Sequence, residues 1–188
     1  MNAPASPAFL DLARGRRSVR SYSPRPVGRE KIERCLEAAG AAPSACDRQP
    51  WRFVVVVEPG ARDRLAEAAF GGIYRSNSFA RRAPVLVVIL AEPPALLPRI
   101  AGRLQGKHYP LIDVGIAGEH FILQAAELGL GTCWMTGPLN DEAALREILN
   151  VGDDREIVAV TPLGYPTAWP PMRERLDPDL TRKVHWLD

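Results

Sequence analysis

The order of apolar segments predicts a single α+β domain spanning 1–188, and three observations carry that expectation. At 188 residues, with 46% hydrophobic and 24% charged residues, the chain is long enough for one sizeable core and short for two independent domains. Two apolar runs rich in β-branched residues, at 53–57 and 85–90, read as strands with no polar face. Helical segments outnumber and separate the strands in irregular order, which favours α+β over a doubly wound sheet.

The elements follow in sequence. Residues 1–7 are small, polar or proline and should fray. Phe9, Leu10, Leu12 and Ala13 form the apolar side of a short helix that leaves Arg16-Arg17-Ser18-Val19-Arg20 at its end. Ser23-Pro24-Arg25-Pro26 breaks the chain. Ile32, Cys35, Leu36 and Ala39 then recur at helical spacing until Pro43 forbids continuation, predicting a helix over 29–41. The run at 53–57, bounded by Pro50 and Pro59, should lie centrally in a sheet. Residues 61–70 read as a helix and 71–82 as a polar, glycine-led connection before Pro84 and the strand at 85–90.

Prolines, glycines and charges over 92–110 predict a mobile insertion acting as a lid, in which Leu96, Leu97, Ile100 and Leu104 supply one or two amphipathic turns. Asp113 suits an N-cap for a helix carrying Val114, Ile116, Ala117, Phe121, Leu123, Ala125 and Leu128, with Gly129 left-handed at its end. This is the most apolar helix and hence the central one. Thr132-Cys133-Trp134-Met135 reads as a short strand, Asn140 as the cap of a helix over 141–149, and 157–163 as a further strand before the Gly164-Tyr165-Pro166 turn. The tail ends in Val184-His185-Trp186-Leu187, and a terminal segment that apolar needs a surface to cover, such as a partner subunit.

Composition and missing motifs narrow the function. The formal net charge is +2 with both signs dispersed, which argues against nucleic acid or an anionic membrane surface as partner. No apolar stretch approaches the roughly 20 residues that span a bilayer. Cys35, Cys46 and Cys133 are an odd number without CxxC spacing, and the N-terminus shows no leader pattern, so a reduced cytoplasmic compartment is expected. There is no GxGxxG turn, GxxxxGK[ST] loop, GxSxG elbow or metal-ligand spacing. His108, His120 and His185 are scattered. A Rossmann nicotinamide site, a P-loop, a serine-hydrolase triad and a zinc site are all disfavoured, and Cys46 and Cys133 read as packed residues before nucleophiles.

Two segments carry the chemistry. Arg16, Arg17 and Arg20 with Ser18 would be solvated charges if met alone. Converging guanidinium groups, however, can bind a phosphate bidentately. The Pro-fixed polar loop Pro43-Ser44-Ala45-Cys46-Asp47-Arg48-Gln49-Pro50-Trp51 and the late Arg173-Glu174-Arg175 repeat the demand for anion contacts and a planar surface. An anionic ligand bearing a flat, hydrogen-bonding ring fits, and a phosphorylated flavin fits best.

With those residues in place the sequence resembles the flavin-dependent nitroreductase superfamily. The resemblance spans Arg16 to Arg20, Pro43 to Trp51, the Asp113 helix ending in Gly129-Leu130-Gly131, the Gly164-Tyr165-Pro166 turn and Arg173-x-Arg175. It implies a central mixed, mainly antiparallel sheet flanked by helices, a homodimer exchanging a C-terminal arm over 176–188, and one FMN in each of two interface sites. Arg16, Arg17, Ser18, Arg173 and Arg175 would meet the phosphate and ribityl chain, and Arg20 the pyrimidine end. Pro43, Ser44, Ala45 and Cys46 would pack on the flavin from the opposite subunit with Gln49 nearby, while the backbone of Trp134, Met135, Thr136 and Gly137 approaches from the other side.

The implied activity is transfer of hydride from NADH or NADPH to a nitroaromatic, quinone or related electron-poor acceptor in a ping-pong cycle. No side chain is an obligatory acid, base or metal ligand; Arg20 tunes the flavin by stabilising charge that develops on reduction. Reductive dehalogenation, flavin fragmentation, flavin binding without turnover and a dimeric interaction protein with no cofactor are the alternatives. Two positions depart from the pattern: Asp47 stands where Asn is usual, and Glu119-His120 where Gln-Asn is common. Asp47 either opposes flavin reduction or caps a turn, and His120 reads as a satisfied interface residue.

Overall fold

The structure is a computed structural model and describes residues 8–93, 108–136, 139–171 and 182–187. Four strands, β1 (Trp51–Val56), β2 (Val85–Ala91), β3 (Gly131–Thr132) and β4 (Glu156–Gly164), form one sheet in the order β1-β2-β4-β3. Every pairing between them is antiparallel. Five α-helices are described: α1 (Phe9–Gly15), α2 (Arg29–Gly40), α3 (Pro59–Phe70), α4 (Tyr109–Glu127) and α5 (Glu142–Leu149). The expected α+β architecture is therefore what the chain adopts.

Both faces of the sheet are covered, and this explains the unbroken apolar runs. On one face Ile32, Cys35 and Ala39 of α2 and Val114, Ala117, Phe121 and Ala125 of α4 pack on Val85, Val87, Ile89 and Leu163. On the other, Leu65, Ala69 and Phe70 of α3 and Leu145 of α5 pack on Leu86, Val88, Leu90 and Val160. Because alternate side chains of a strand point to opposite faces, β2 must be apolar at every position, and all seven of its residues are buried. Residues 53–57 were expected to be central for the same reason, yet among the described strands β1 lies at the edge. An apolar run reports that both faces are covered; it says nothing about lateral neighbours.

Three terminus assignments differ from expectation. α4 begins at Tyr109, four residues before Asp113, with Pro110 in its first turn, where a missing N–H costs nothing. α5 is capped by Asp141, whose side chain accepts from the Ala144 amide at 2.9 Å, and not by Asn140. α3 starts at Pro59, with the Glu58 carboxylate accepting from the Gly60 and Ala61 amides, contacts that hold its pKa below the usual range. The polar connection after α3 is wound into a 3₁₀ stretch, Gly72–Arg82, with Gly72 at φ 53°. The predicted strand 132–135 shortens to β3, then rejoins β4 through an isolated bridge between Thr136 and Ala159.

Candidate active site

The arginine segment is pinned to the β3 edge of the sheet. Ser18 forms a parallel bridge with Thr132, and the Val19 amide donates to the Thr132 carbonyl at 2.8 Å. Val19 and Tyr22 are buried with Ala83, Phe79 packing beside them, and the Tyr22 hydroxyl donates to the Val19 carbonyl at 2.7 Å. Gly131 is required opposite Val19, whose side chain occupies the space of any Cβ there. Around this packed strip Arg16 and Arg17 are half-buried and Arg20 is exposed.

None of Arg16, Arg17 and Arg20 has a carboxylate ion-pair partner among the described residues. One guanidinium nitrogen of Arg17 donates to the carbonyls of Arg14 and Arg16. Arg20 donates to the Ser18 carbonyl at 3.3 Å and lies 6.0 Å from the centre of the Phe79 ring, within the range of a cation–π contact. Beside them the buried Cys133 thiol has its pKa raised by desolvation, opposed by Arg20, a hydrogen bond from Ser18 and Arg16. Cations without counter-charges among the described residues fit an anionic group such as a phosphate.

The loop before β1 is built differently. Ala45–Asp47 is a single 3₁₀ turn in which Cys46 and Asp47 have φ of 54° and 51°, followed by Gln49 at 47°. Such left-handed conformations are uncommon for residues other than glycine. The Ser44 hydroxyl accepts from the Gln49 amide at 2.9 Å, and the Gln49 side-chain amide donates to Asp47 at 3.1 Å. Asp47 thus holds a turn, the local one of its two expected roles. Pro43, Ala45, Cys46 and Gln49 remain exposed and Ser44 half-buried.

Trp134 lies against α4 at Gly118, where its ring occupies the space of any side chain. Met135 turns to the opposite face of the sheet, packing with the α3–α5 cluster, and its carbonyl accepts from the Val160 amide at 3.1 Å. Thr136 is exposed. Gly137, Arg173 and Arg175 lie outside the described residues, as do 94–107 of the expected lid and 176–181 of the expected arm. His120 is engaged with the Ala38 carbonyl at 3.2 Å, so it serves the α2–α4 contact.

Within one chain the two chemical segments are kept apart. Trp51, which closes the loop, pairs with Ala91 at the end of β2, itself opposite Glu156 at the start of β4, whereas Thr132, which carries Ser18, pairs with Leu163 near the other end of β4. Ser18 lies beyond β3, itself three strands from β1. Strand spacings of about 4.8 Å and rises of about 3.3 Å per residue put Ser18 and Trp51 on the order of 25 Å apart, at diagonal corners of the sheet. The residues sequence reasoning missed are the ones that hold these corners: Tyr22, Phe79 and Asp113, whose buried carboxylate accepts from the Ala45 amide at 3.2 Å. Pro110 was the signal that Asp113 lies inside its helix.

The nitroreductase family model matches this sequence over residues 13–76 and 73–165. The chain belongs to the nitroreductase family. Within that oxidoreductase family it is 32% identical, over 94% of its length and 87% of the relative's, to a Methanothermobacter thermautotrophicus protein named as a candidate NADH dehydrogenase/NAD(P)H nitroreductase. It is 30% identical to iodotyrosine deiodinase 1 of Rattus norvegicus, over 95% of this chain and 67% of that one. Among solved structures, an FMN-dependent nitroreductase from Clostridium difficile superposes with a TM-score of 0.77 at 27% identity, covering 96% and 99% of the two chains. The nitroreductase fold is thus shared throughout the described sheet and helices.

No group of three or more His, Cys, Asp or Glu side chains converges among the described residues. No helix among them is long and apolar enough to cross a membrane.

Proposed function

We propose that the chain is an FMN-dependent oxidoreductase that takes hydride from NADH or NADPH and reduces an electron-poor acceptor such as a quinone or nitroaromatic, working as a homodimer with FMN in the seam between two copies. One observation carries the reading: a cation cluster lacking counter-charges among the described residues and an exposed polar loop occupy diagonal corners of one sheet, so a second copy is needed to bring one chain's arginines to the other's loop. The names of the relatives and solved structures agree with the chemistry.

Bound FMN would supply the two-electron chemistry. The chain's residues bind and orient: Arg16, Arg17 and Ser18 meet the phosphate, joined by Arg173 and Arg175. Arg20, steadied by Phe79 and the Ser18 carbonyl, offers a fixed positive charge toward the pyrimidine edge, stabilising charge that grows there without solvent reorganisation. Pro43, Ser44, Ala45 and Cys46 of the second copy pack on the ring with Gln49 beside them, and the Trp134–Gly137 backbone covers the other side. The C-terminal arm, with Trp186 and Leu187 80% and 89% exposed, would embrace the neighbour, and 92–110 would gate the open face.

Purified protein should be yellow, and its flavin bands should bleach anaerobically with NADH or NADPH. The double substitution Arg16→Ala with Arg20→Ala should remove the colour; unchanged flavin content would take the arginines out of the site. Iodotyrosine deiodinase relatives support a second reading, reductive dehalogenation on the same scaffold. Release of iodide from iodotyrosine under reducing conditions, with no turnover of quinones, would select it.

A further inference from the structure

We propose that Asp113 is a positioning residue for the flavin-contact loop: from inside α4 its buried carboxylate latches the Ala45 amide and so sets where the left-handed turn Ala45–Asp47 meets the cofactor of the neighbouring subunit. The inference rests on the proposed cofactor and deepens it by naming a residue that acts through another.

Asp113 is only 7% exposed, and a buried carboxylate is costly unless strong hydrogen bonds compensate it. It lies four residues inside α4 and so does not cap the helix. Its described hydrogen bond runs across 68 residues of sequence to the Ala45 amide, at 3.2 Å.

The loop needs such a tie. Cys46, Asp47 and Gln49 all sit at positive φ, a conformation that persists only where the surroundings over-determine it. Most of the restraints are internal to the loop: Gln49 amide to Ser44 hydroxyl, Gln49 side chain to Asp47, Asp47 amide to Ser44 carbonyl and Arg48 amide to Ala45 carbonyl. Internal bonds preserve a loop's shape but leave its position free. Among the described residues the Asp113 contact is the hydrogen bond that joins 44–49 to the core. The same helix receives Trp134 at Gly118, so α4 sets the loop and the Trp134 wall in one frame.

The test compares Asp113→Leu, which fills the space without an acceptor, with Asp113→Asn, which keeps one. Cys46 is the exposed thiol, Cys35 and Cys133 being buried, so its labelling rate in FMN-free protein reports the loop. Asp113→Leu should label Cys46 faster and bind FMN about tenfold more weakly, as expected for a lost charged hydrogen bond. Asp113→Asn should stay near wild type in both. Unchanged labelling in Asp113→Leu, or an Asn variant as impaired as Leu, overturns the latch. Should Asp113→Leu fail to fold, hydrogen exchange of the wild-type Ala45 amide decides: protection supports the bond, and exchange at the rate of an open loop refutes it. A wild-type protein that takes up no FMN sinks the proposed function instead, while the labelling comparison still judges the latch.

Discussion

The indole of Trp134 fills the space beside Gly118 that any side chain at position 118 would need. A glycine in the interior of a 19-residue helix costs helix stability, and this contact is the compensating reason for it. The two residues should therefore be thermodynamically coupled.

Gly118→Leu is expected to destabilise the protein by about 1–3 kcal/mol through overpacking. Adding Trp134→Ala should recover part of that loss, which denaturant unfolding of the single and double variants would reveal as non-additivity. Strictly additive costs would mean the residues do not share space. Gly115, three residues earlier, has nothing among the described residues within 4 Å of a Cβ, so Gly115→Ala should instead stabilise by up to about 1 kcal/mol.

Tyr22→Phe removes a buried hydroxyl that donates to the Val19 carbonyl. An expected loss of about 1–2 kcal/mol follows from leaving that carbonyl unpaired. Because the same segment presents Arg20, FMN affinity measured by fluorescence quenching should fall as well. Full stability in the variant would mean water takes the place of the phenol.

Burial raises the Cys35 thiol from 9.0 to about 12, and the Tyr22 phenol and Cys133 thiol are raised too, chiefly by burial. A group raised in the folded state stabilises fully below its unfolded pKa. Between pH 9 and 12 the unfolded chain gives up the Cys35 proton while the folded chain keeps it, so stability falls by up to about 1.4 kcal/mol per pH unit for that group. Urea unfolding from pH 8 to 11 should show this decline, and Cys35→Ala should make it shallower. An unaltered slope in the variant would assign the decline to other groups.

Arg146 ties α5 to the turn before β4: its guanidinium reaches Glu142 at 2.6 Å and the carbonyls of Gly152 and Arg155 at 2.9 and 3.0 Å. Arg146→Lys keeps the charge but loses the planar fork, and should cost about 1–2 kcal/mol of unfolding free energy. A lysine variant as stable as wild type would mean that charge, not geometry, supplies the contact.

Much of this architecture is written in local chemistry. The 3.6-residue spacing of Ile32, Cys35 and Ala39 places them on the buried side of α2, and Gly129 after α4 is left-handed at φ 75°. Residues 85–90 are buried on both faces. Asp113 resembles a cap in the sequence because a carboxylate before an apolar run looks the same whether or not the helix has already begun. Asn140 and Asp141 are adjacent residues of similar capping chemistry, and only backbone geometry separates them.

Residue types and their order along the chain were enough to indicate the α+β class, because periodicity and capping act within a few neighbours, and the family, because the motifs it resembles are short runs in a fixed order. Strand order, the edge position of β1, the bridge from Ser18 to Thr132 and the bond from Asp113 to Ala45 came from folding in three dimensions. Each joins residues far apart in sequence, and such contacts reward the chain only after a loop has closed. No local pattern records which distant partner wins that closure.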